Sequence, residues 1–272
     1  MNGPVITLLS DFGLEDHYVA AMKGVILTIC PGARPIDITH LIAPQDVRSA
    51  AFVLYSTHGY FPQGTIHLAV VDPGVGTERR PVAIRMGSSY FVGPDNGLFS
   101  LILKRETGWE ARELDNVSFW RNPVSNTFHG RDIFAPVAAH LAAGAPFEMV
   151  GGVCGLVSAP WGEPEVGKDS VKGEVIHLDR FGNAITNVLL EVLEKKAQAK
   201  KWEVLAGKGA VSIQRSYAMV PTGEALALAG STGFIEIAVN GGSAASKLEL
   251  RPGSEVAFRL FATRESEVYS QG

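Results

Sequence analysis

The chain of 272 residues has only two cysteines, Cys30 and Cys154, set far apart and without a Cys-x-x-Cys spacing. That excludes a disulfide framework or a zinc ribbon, and both cysteines read as small buried hydrophobes. No apolar run approaches the roughly 18 residues that span a bilayer. The N-terminal stretch MNGPVITLLSDFG lacks a basic segment ahead of an apolar run, so the protein is expected to be soluble, cytoplasmic and without a membrane partner. Positive charge is also in short supply. Lys and Arg total 24 against 28 Asp and Glu, they are scattered rather than striped, and the net charge of -4 offers nothing to a nucleic acid. Internal repeats and low-complexity segments are missing too, and 46% hydrophobic residues with 19% charged residues describe an ordinary folded protein.

What is present is an alternation of strand-like and helix-like segments. VITLLSD, RPIDITH and TIHLAVVD read as strands, the last delivering Asp72 at its C-terminal end; YVAAMKGVILTICPG and DVRSAAFVLYSTHGYF read as helices, the second capped by Asp46. YFVGPDNGLFSLIL reads as strand, turn and short helix, and NTFHGRDIFAPVAAHLAAGAP as a loop entering an Ala-rich helix. This predicts an α/β fold: an N-terminal α/β domain over residues 1–160 with a mostly parallel central sheet. The Pro- and Gly-rich stretch around 161–169 reads as a linker. Beyond it GEVIHLD, EALALAG, FIEIAVN and EVAFRLF predict a smaller C-terminal β-barrel domain over 170–272, with one helix near VLEKKAQAKKW.

The loop VVDPGVGTERR imitates a phosphate cradle and then fails the tests for one. It lacks the Lys-Ser or Lys-Thr pair of a Walker loop and the third glycine of a dinucleotide fingerprint. It carries instead Asp72, with Arg79 and Arg80 close enough in sequence for the loop to fold one of them back onto the carboxylate. Asp11 ends the first strand; a carboxylate there either accepts hydrogen bonds from a ribose diol or caps the following helix. In TFHGRD, Phe128 offers a face to an aromatic base and His129 can carry or orient a proton. The other histidines read as structural. A metal site of Asp72, His129 and Asp132 is conceivable but lacks paired ligand spacing, and no Gly-x-Ser-x-Gly elbow supports a serine nucleophile. In DRFGNAITN, Asp179 and Asn183 suit either an amino-acid head or an adenine edge, and the same residues also spell a turn with Gly182 left-handed.

In order and over nearly the whole chain, SDFG, VVDPGVGTERR, NTFHGRD, DRFGNAITN and GSTGFIEIAVNGGSA resemble the S-adenosylmethionine hydroxide adenosyltransferases, relatives of the fluorinase and chlorinase enzymes. The resemblance implies a homotrimer with active sites between one subunit's N-terminal domain and its neighbour's C-terminal domain. It implies that Asp72, Arg79 and His129 handle water, that Asp11 holds the ribose and Phe128 stacks on the base, and that Asp179, Asn183 and Ser231 hold the methionine. No cofactor is expected, because S-adenosylmethionine is the small-molecule substrate. Where the fluorinase has Tyr-Pro-Ala-Thr and Tyr-Ser, this chain has Asp72-Pro73-Gly74-Val75 and His129-Gly130, and a carboxylate at the reaction centre repels a halide while it can bind water. The expected mechanism has Asp72 and His129 orienting the water and accepting its proton, with Arg79 holding the Asp72 carboxylate. Asp72→Ala and His129→Ala are both expected to abolish adenosine release with little effect on folding. The rival readings are a non-catalytic adenosine or S-adenosylmethionine sensor, a halide-using homologue, and a metal-dependent hydrolase.

Overall fold

The computed structural model describes residues 3–159, 161–197 and 201–261. The chain divides into two compact units, 1–160 and 161–272.

The first unit grows from segments whose apolar spacing matches their geometry. Strand β1 (Val5–Ser10) is buried on both faces, as the run VITLLS demands, with Ile6 and Leu8 in one core and Leu9 in another. Helix α1 (Tyr18–Ile29) buries Val19, Met22 and Ile26, a 3–4 spacing, and stops where Pro31-Gly32 forbids continuation. Each of those large side chains is worth roughly 1.5–3 kcal/mol of burial. Strand β2 (Arg34–Thr39) follows. Helix α2 (Val47–His58) is capped by Asp46, whose Oδ1 accepts from the Ser49 N–H at 3.0 Å. Then come β3 (Ile66–Val70), β4 (Pro81–Met86), β5 (Ser89–Pro94), the short α3 (Ser100–Leu103), β6 (Trp109–Glu113) and α4 (Ala135–Ala142).

The sheet order is β2-β1-β3-β5-β4-β6. The pairs β1–β2, β1–β3 and β3–β5 are parallel, while β4 pairs antiparallel with both β5 and β6. The sheet is therefore mostly parallel, with an antiparallel edge that the alternating sequence pattern did not separate from the rest. From β1 the chain crosses through α1 to β2 and then returns through α2 to β3 on the other side of β1. The order of strands reverses at the β1–β3 junction, and in such sheets the crevice beyond the carboxyl ends at the reversal is where ligands bind. Asp11 follows β1 and Asp72 follows β3, so both predicted carboxylates come off neighbouring parallel strands at that edge.

The second unit contains β7 (Glu165–Val166), β8 (Ser170–Leu178), β9 (Ala184–Leu189), α5 (Leu190–Ala197), β10 (Lys201–Ala206), β11 (Gly209–Ser212), β12 (Ala225–Ala229), β13 (Phe234–Val239), α6 (Ala244–Lys247) and β14 (Glu255–Phe261). Its strands run β11-β10-β14-β8-β9-β13-β12, all of them antiparallel pairs. A bridge from Ile213 to Ala227 then joins the two ends, with the Gln214 N–H donating to the Ala227 carbonyl at 2.7 Å. That makes a nearly closed barrel around Val171, Val204, Ile235, Ile237 and Phe258. Two local expectations are corrected. The helix read near VLEKKAQAKKW starts earlier, at Leu190, and Lys201 and Trp202 belong to β10, where Trp202 is buried and both residues pair with β14; residues 198–200 of that segment lie outside the described residues. The stretch 161–169, read as a linker, carries β7, which pairs with β8.

Candidate active site

The loop after β3 folds back on itself. The Val75 N–H donates to the Asp72 carbonyl at 3.2 Å, and the Thr77 hydroxyl donates to the Gly74 carbonyl at 2.7 Å. Gly76 turns at φ +78, where a side chain's Cβ would stand 2.7 Å from the Asn126 carbonyl oxygen. Only glycine fits there. The return brings Arg79 onto Asp72: Arg79 Nε donates to Oδ1 at 2.9 Å and to Oδ2 at 3.0 Å, and Nη2 also donates to Oδ2. Nη2 reaches His129 Nδ1 at 3.0 Å as well. The guanidinium lies over the Phe134 ring, 5.1 Å from its centroid, and the side chains of Arg79 and Asp72 are 9% and 6% exposed. Of the two adjacent arginines it is Arg79 that meets Asp72, whereas Arg80 turns away to Asp95 Oδ2 at 2.5 Å and to the Gly155 carbonyl at 2.7 Å.

His129 precedes a five-residue π-helical turn, Gly130–Phe134, that runs into α4; the Ala135 N–H reaches back to the Gly130 carbonyl. Such turns concentrate at functional sites because they re-aim a side chain. An arginine can only donate, so Nδ1 of His129 must accept, and the neutral ring then carries its proton on Nε2. Burial, and after it the Arg79 cation, lowers the pKa of His129 from its ordinary value, keeping the ring neutral.

Asp72 and His129 line a cavity of about 360 Å³ together with Asp11, Phe12, Tyr18, Gln45, Thr127 and Phe128. Asp11 does not cap α1, whose N-cap is His17 and carries no side-chain cap bond. Asp11 Oδ2 accepts from the Gln45 N–H at 2.8 Å, and among the described residues Oδ1 has no protein partner. Phe128 is 7% exposed, meets Phe12 and Tyr18 edge-on at 5.9 and 5.1 Å, and lies 5.1 Å from the Arg131 guanidinium carbon. It forms part of the wall, and the more open aromatic surface there is Tyr18, 37% exposed. Gln45 was invisible in the sequence: it sits at φ +67, a left-handed conformation that non-glycine residues adopt sparingly.

On the second unit, Asp179 and Asn183 close the five-residue loop between β8 and β9. Asp179 Oδ1 accepts from the N–H groups of Phe181 at 2.9 Å and Asn183 at 2.8 Å, and Asn183 Nδ2 donates to Oδ2 at 2.9 Å. Gly182 is left-handed at φ +82, so the turn expected from the sequence is present, and among the described residues the amide oxygen of Asn183 has no hydrogen-bond partner. Phe181 stands 78% exposed at the tip of the loop. Ser231 lies elsewhere. It sits exposed in the turn between β12 and β13, and the pairing of Ala184 with Ile237 and Leu189 with Phe234 puts that turn at the opposite end of β9 from Asp179.

Asp132 is fully buried, paired with Arg121 and Arg131 and bonded to the Ser125 N–H, so its carboxylate is committed to that network. Among the described residues no three His, Cys, Asp or Glu side chains come together as a metal-binding group. Cys30 is buried, whereas Cys154 is half-buried rather than a core residue, and both are free thiols. No helix among the described residues is long and apolar enough to cross a membrane.

Residues 6–151 match the SAM hydroxide adenosyltransferase N-terminal domain and residues 173–257 match the corresponding C-terminal domain. The chain is 42% identical over 262 residues to an (R)-S-adenosyl-L-methionine hydrolase of Thermus thermophilus, covering 92% of this chain and 98% of that one. It is equally similar, 42% over 262 residues, to one of Salinispora arenicola, covering 93% and 97%. A fluorinase of Nocardia brasiliensis is more distant, 30% identical over 291 residues with 94% and 97% covered. Among solved structures, an uncharacterized conserved protein from Thermotoga maritima superposes with a TM-score of 0.86 at 39% identity, covering 93% of this chain and 99% of that one.

Proposed function

The chain belongs to the SAM hydroxide adenosyltransferase family, and from that premise we propose that its Asp72–Arg79–His129 group delivers a water molecule to C5′ of S-adenosyl-L-methionine. The protein is an S-adenosyl-L-methionine hydrolase, releasing adenosine and L-methionine. The observation that carries the assignment of roles is the double engagement of Arg79, which holds Asp72 and His129 at once on the wall of one cavity.

The chemistry asks little beyond position. The sulfonium leaves as a neutral thioether, so no general acid is needed: the water oxygen bonds to C5′, the C5′–S pair goes to sulfur, and one proton must be taken up. Placing the reactants in line can account for about 7 kcal/mol or more of the barrier. We infer from the geometry a different division of labour from the one expected. With Nδ1 of His129 already accepting from Arg79, the ring donates from Nε2, so it orients the water through one of the oxygen's lone pairs and does not take its proton. Asp72 is the proton acceptor: its Oδ1 takes a single hydrogen bond from Arg79 and keeps a lone pair, whereas Oδ2 takes two. Asp11 binds the ribose diol with its free Oδ1. Phe128 lines the place of the base; Asp179 and Asn183 hold the amino-acid portion, whereas Ser231, at the other end of β9, is too far from them to share that group. The family resemblance further supports a homotrimer in the cytoplasm, with sites completed between subunits, and a reaction without metal or other cofactor.

The test is incubation with S-adenosyl-L-methionine in heavy-oxygen water, followed by chromatography and mass analysis. Equal amounts of methionine and adenosine, with the label in the 5′-hydroxyl, are expected. An unlabelled hydroxyl would contradict attack at C5′; absence of both products would indicate a sensor. A 5′-chloro product in chloride would indicate halide chemistry, and loss of turnover on chelation a metal-dependent hydrolase.

A further inference from the structure

Beneath the loop that carries Asp11 lies a row of polar groups that the reaction does not use, buried at Ser10 and His40 and opening to solvent at Asp37 and Lys23. Ser10 Oγ is 2.7 Å from His40 Nδ1, and His40 Nε2 is 3.0 Å from Asp37 Oδ1. Lys23 Nζ donates to the other oxygen of Asp37 at 2.6 Å. Serine, histidine and aspartate in this sequence evoke a hydrolytic triad, and two facts exclude that role. Ser10 and His40 are 1% and 2% exposed, so no substrate reaches the hydroxyl. The imidazole is also reversed, with Nδ1 rather than Nε2 on the serine.

What the row does is tether a loop. The Nε2–Asp37 approach is off-line for a hydrogen bond, but the carboxylate beside it favours a proton on Nε2. That leaves Nδ1 to accept from the Ser10 hydroxyl, whose oxygen then accepts the Phe12 N–H at 3.3 Å. The Gly13 N–H donates to the His40 carbonyl at 2.8 Å. The Gln45 N–H holds Asp11 itself. Four consecutive residues, Ser10 to Gly13, are thus each pinned, and three of the four pins run to His40 or through Ser10 to it. Loops at strand ends are otherwise mobile, and ordering a ligand-binding carboxylate before the ligand arrives removes that cost from binding.

We propose that His40 is a positioning residue for ribose recognition: through Ser10 and its own carbonyl it fixes the loop so that Asp11 meets a vicinal diol already oriented. The inference rests on the reading of Asp11 as the ribose ligand. It is tested by calorimetric affinities of the full chain for adenosine and for 2′,3′-dideoxyadenosine, which lacks the diol. Wild type is expected to prefer adenosine by about 10-fold or more, and Asp11→Ala to lose that preference. His40→Ala is expected to weaken adenosine about 10-fold with dideoxyadenosine unchanged, and His40→Asn, which restores an acceptor near Nδ1, to recover much of the loss. Ser10→Ala, a smaller change, should shift the preference in the same direction if His40→Ala does not fold. Equal weakening of both ligands, or an unchanged preference in Ser10→Ala and His40→Ala while Asp11→Ala loses it, overturns the positioning role alone. If Asp11→Ala keeps the preference, the ribose reading itself fails and the proposal with it.

Discussion

Arg79 and His129 meet as donor and acceptor, Nη2 to Nδ1 at 3.0 Å, and the arginine has no lone pair with which to reverse the arrangement. The imidazole is thereby fixed as a donor on its other nitrogen, which separates an orienting histidine from a proton-accepting one.

Glutamine can place an N–H near the position of Nε2, and alanine cannot. His129→Ala is expected to lose about 10²–10³ in kcat, the usual cost of one well-placed donor, and His129→Gln to retain clearly more activity than His129→Ala. Steady-state adenosine release checks this. Equal loss in both variants would return His129 to the role of base.

In the proposed mechanism neutral His129 is the working form, and burial followed by the Arg79 charge lowers its pKa from the ordinary 6.5. The rate profile should therefore stay level down through the ordinary histidine range, with its acid limb displaced below 6.5. A plot of kcat/KM against pH measures the displacement. Arg79→Gln, which removes the cation, should move the surviving limb upward.

The burial of Asp72 with Arg79 changes what truncation costs. Removing one partner of a pair this buried leaves an uncompensated charge and is worth about 3–5 kcal/mol, so Asp72→Ala should lower the melting temperature as well as abolish turnover. The sequence alone had suggested little effect on folding. Arg80→Ala should leave kcat/KM nearly unchanged and cost about 1–2 kcal/mol by depriving buried Asp95 of its cationic partner and leaving it the Val157 N–H. Paired thermal melts and assays distinguish the two arginines.

His67 gives the fold its own acid sensitivity. Burial, then the neighbouring His58, lowers its pKa from 6.5 to about 3. The folded state thus favours the neutral ring. Its contribution is complete above 6.5, where both states are neutral, and is lost as pH falls from 6.5 toward about 3 while the unfolded chain takes up a proton. Each unit of separation is worth about 1.4 kcal/mol. Denaturant midpoints across that window should fall less steeply in His67→Gln than in wild type; equal slopes would place the sensitivity elsewhere.

The parts of the site written in one short segment were legible: the return of an arginine onto Asp72, the Asp46 cap and the left-handed turn at Gly182 all follow from residues a few positions apart. The contacts that assemble those segments were not. Ser10 meets His40, Arg79 meets His129 and Asp11 meets Gln45 only because strand order brings distant segments together, and no local pattern encodes that pairing. Phe128 illustrates the same limit. Its neighbours in sequence suggested an open ring face, while packing against Phe12, Tyr18 and Arg131 decided how much of it remains available. The end of α5 was misjudged because Lys and Ala favour a helix locally, whereas pairing of Lys201 and Trp202 with β14 draws them into the barrel.

Reversal of strand order at β1 hangs the two carboxylates on separate loops that share a rim but not a stretch of chain. Each loop is anchored by its own contacts, Asp11 through Gln45 and Asp72 through Arg79. A change in the segment after β3 can therefore leave the anchor of Asp11 untouched, and a change in the segment after β1 can leave the Asp72–Arg79 pair untouched, so the two halves of this rim are mechanically independent.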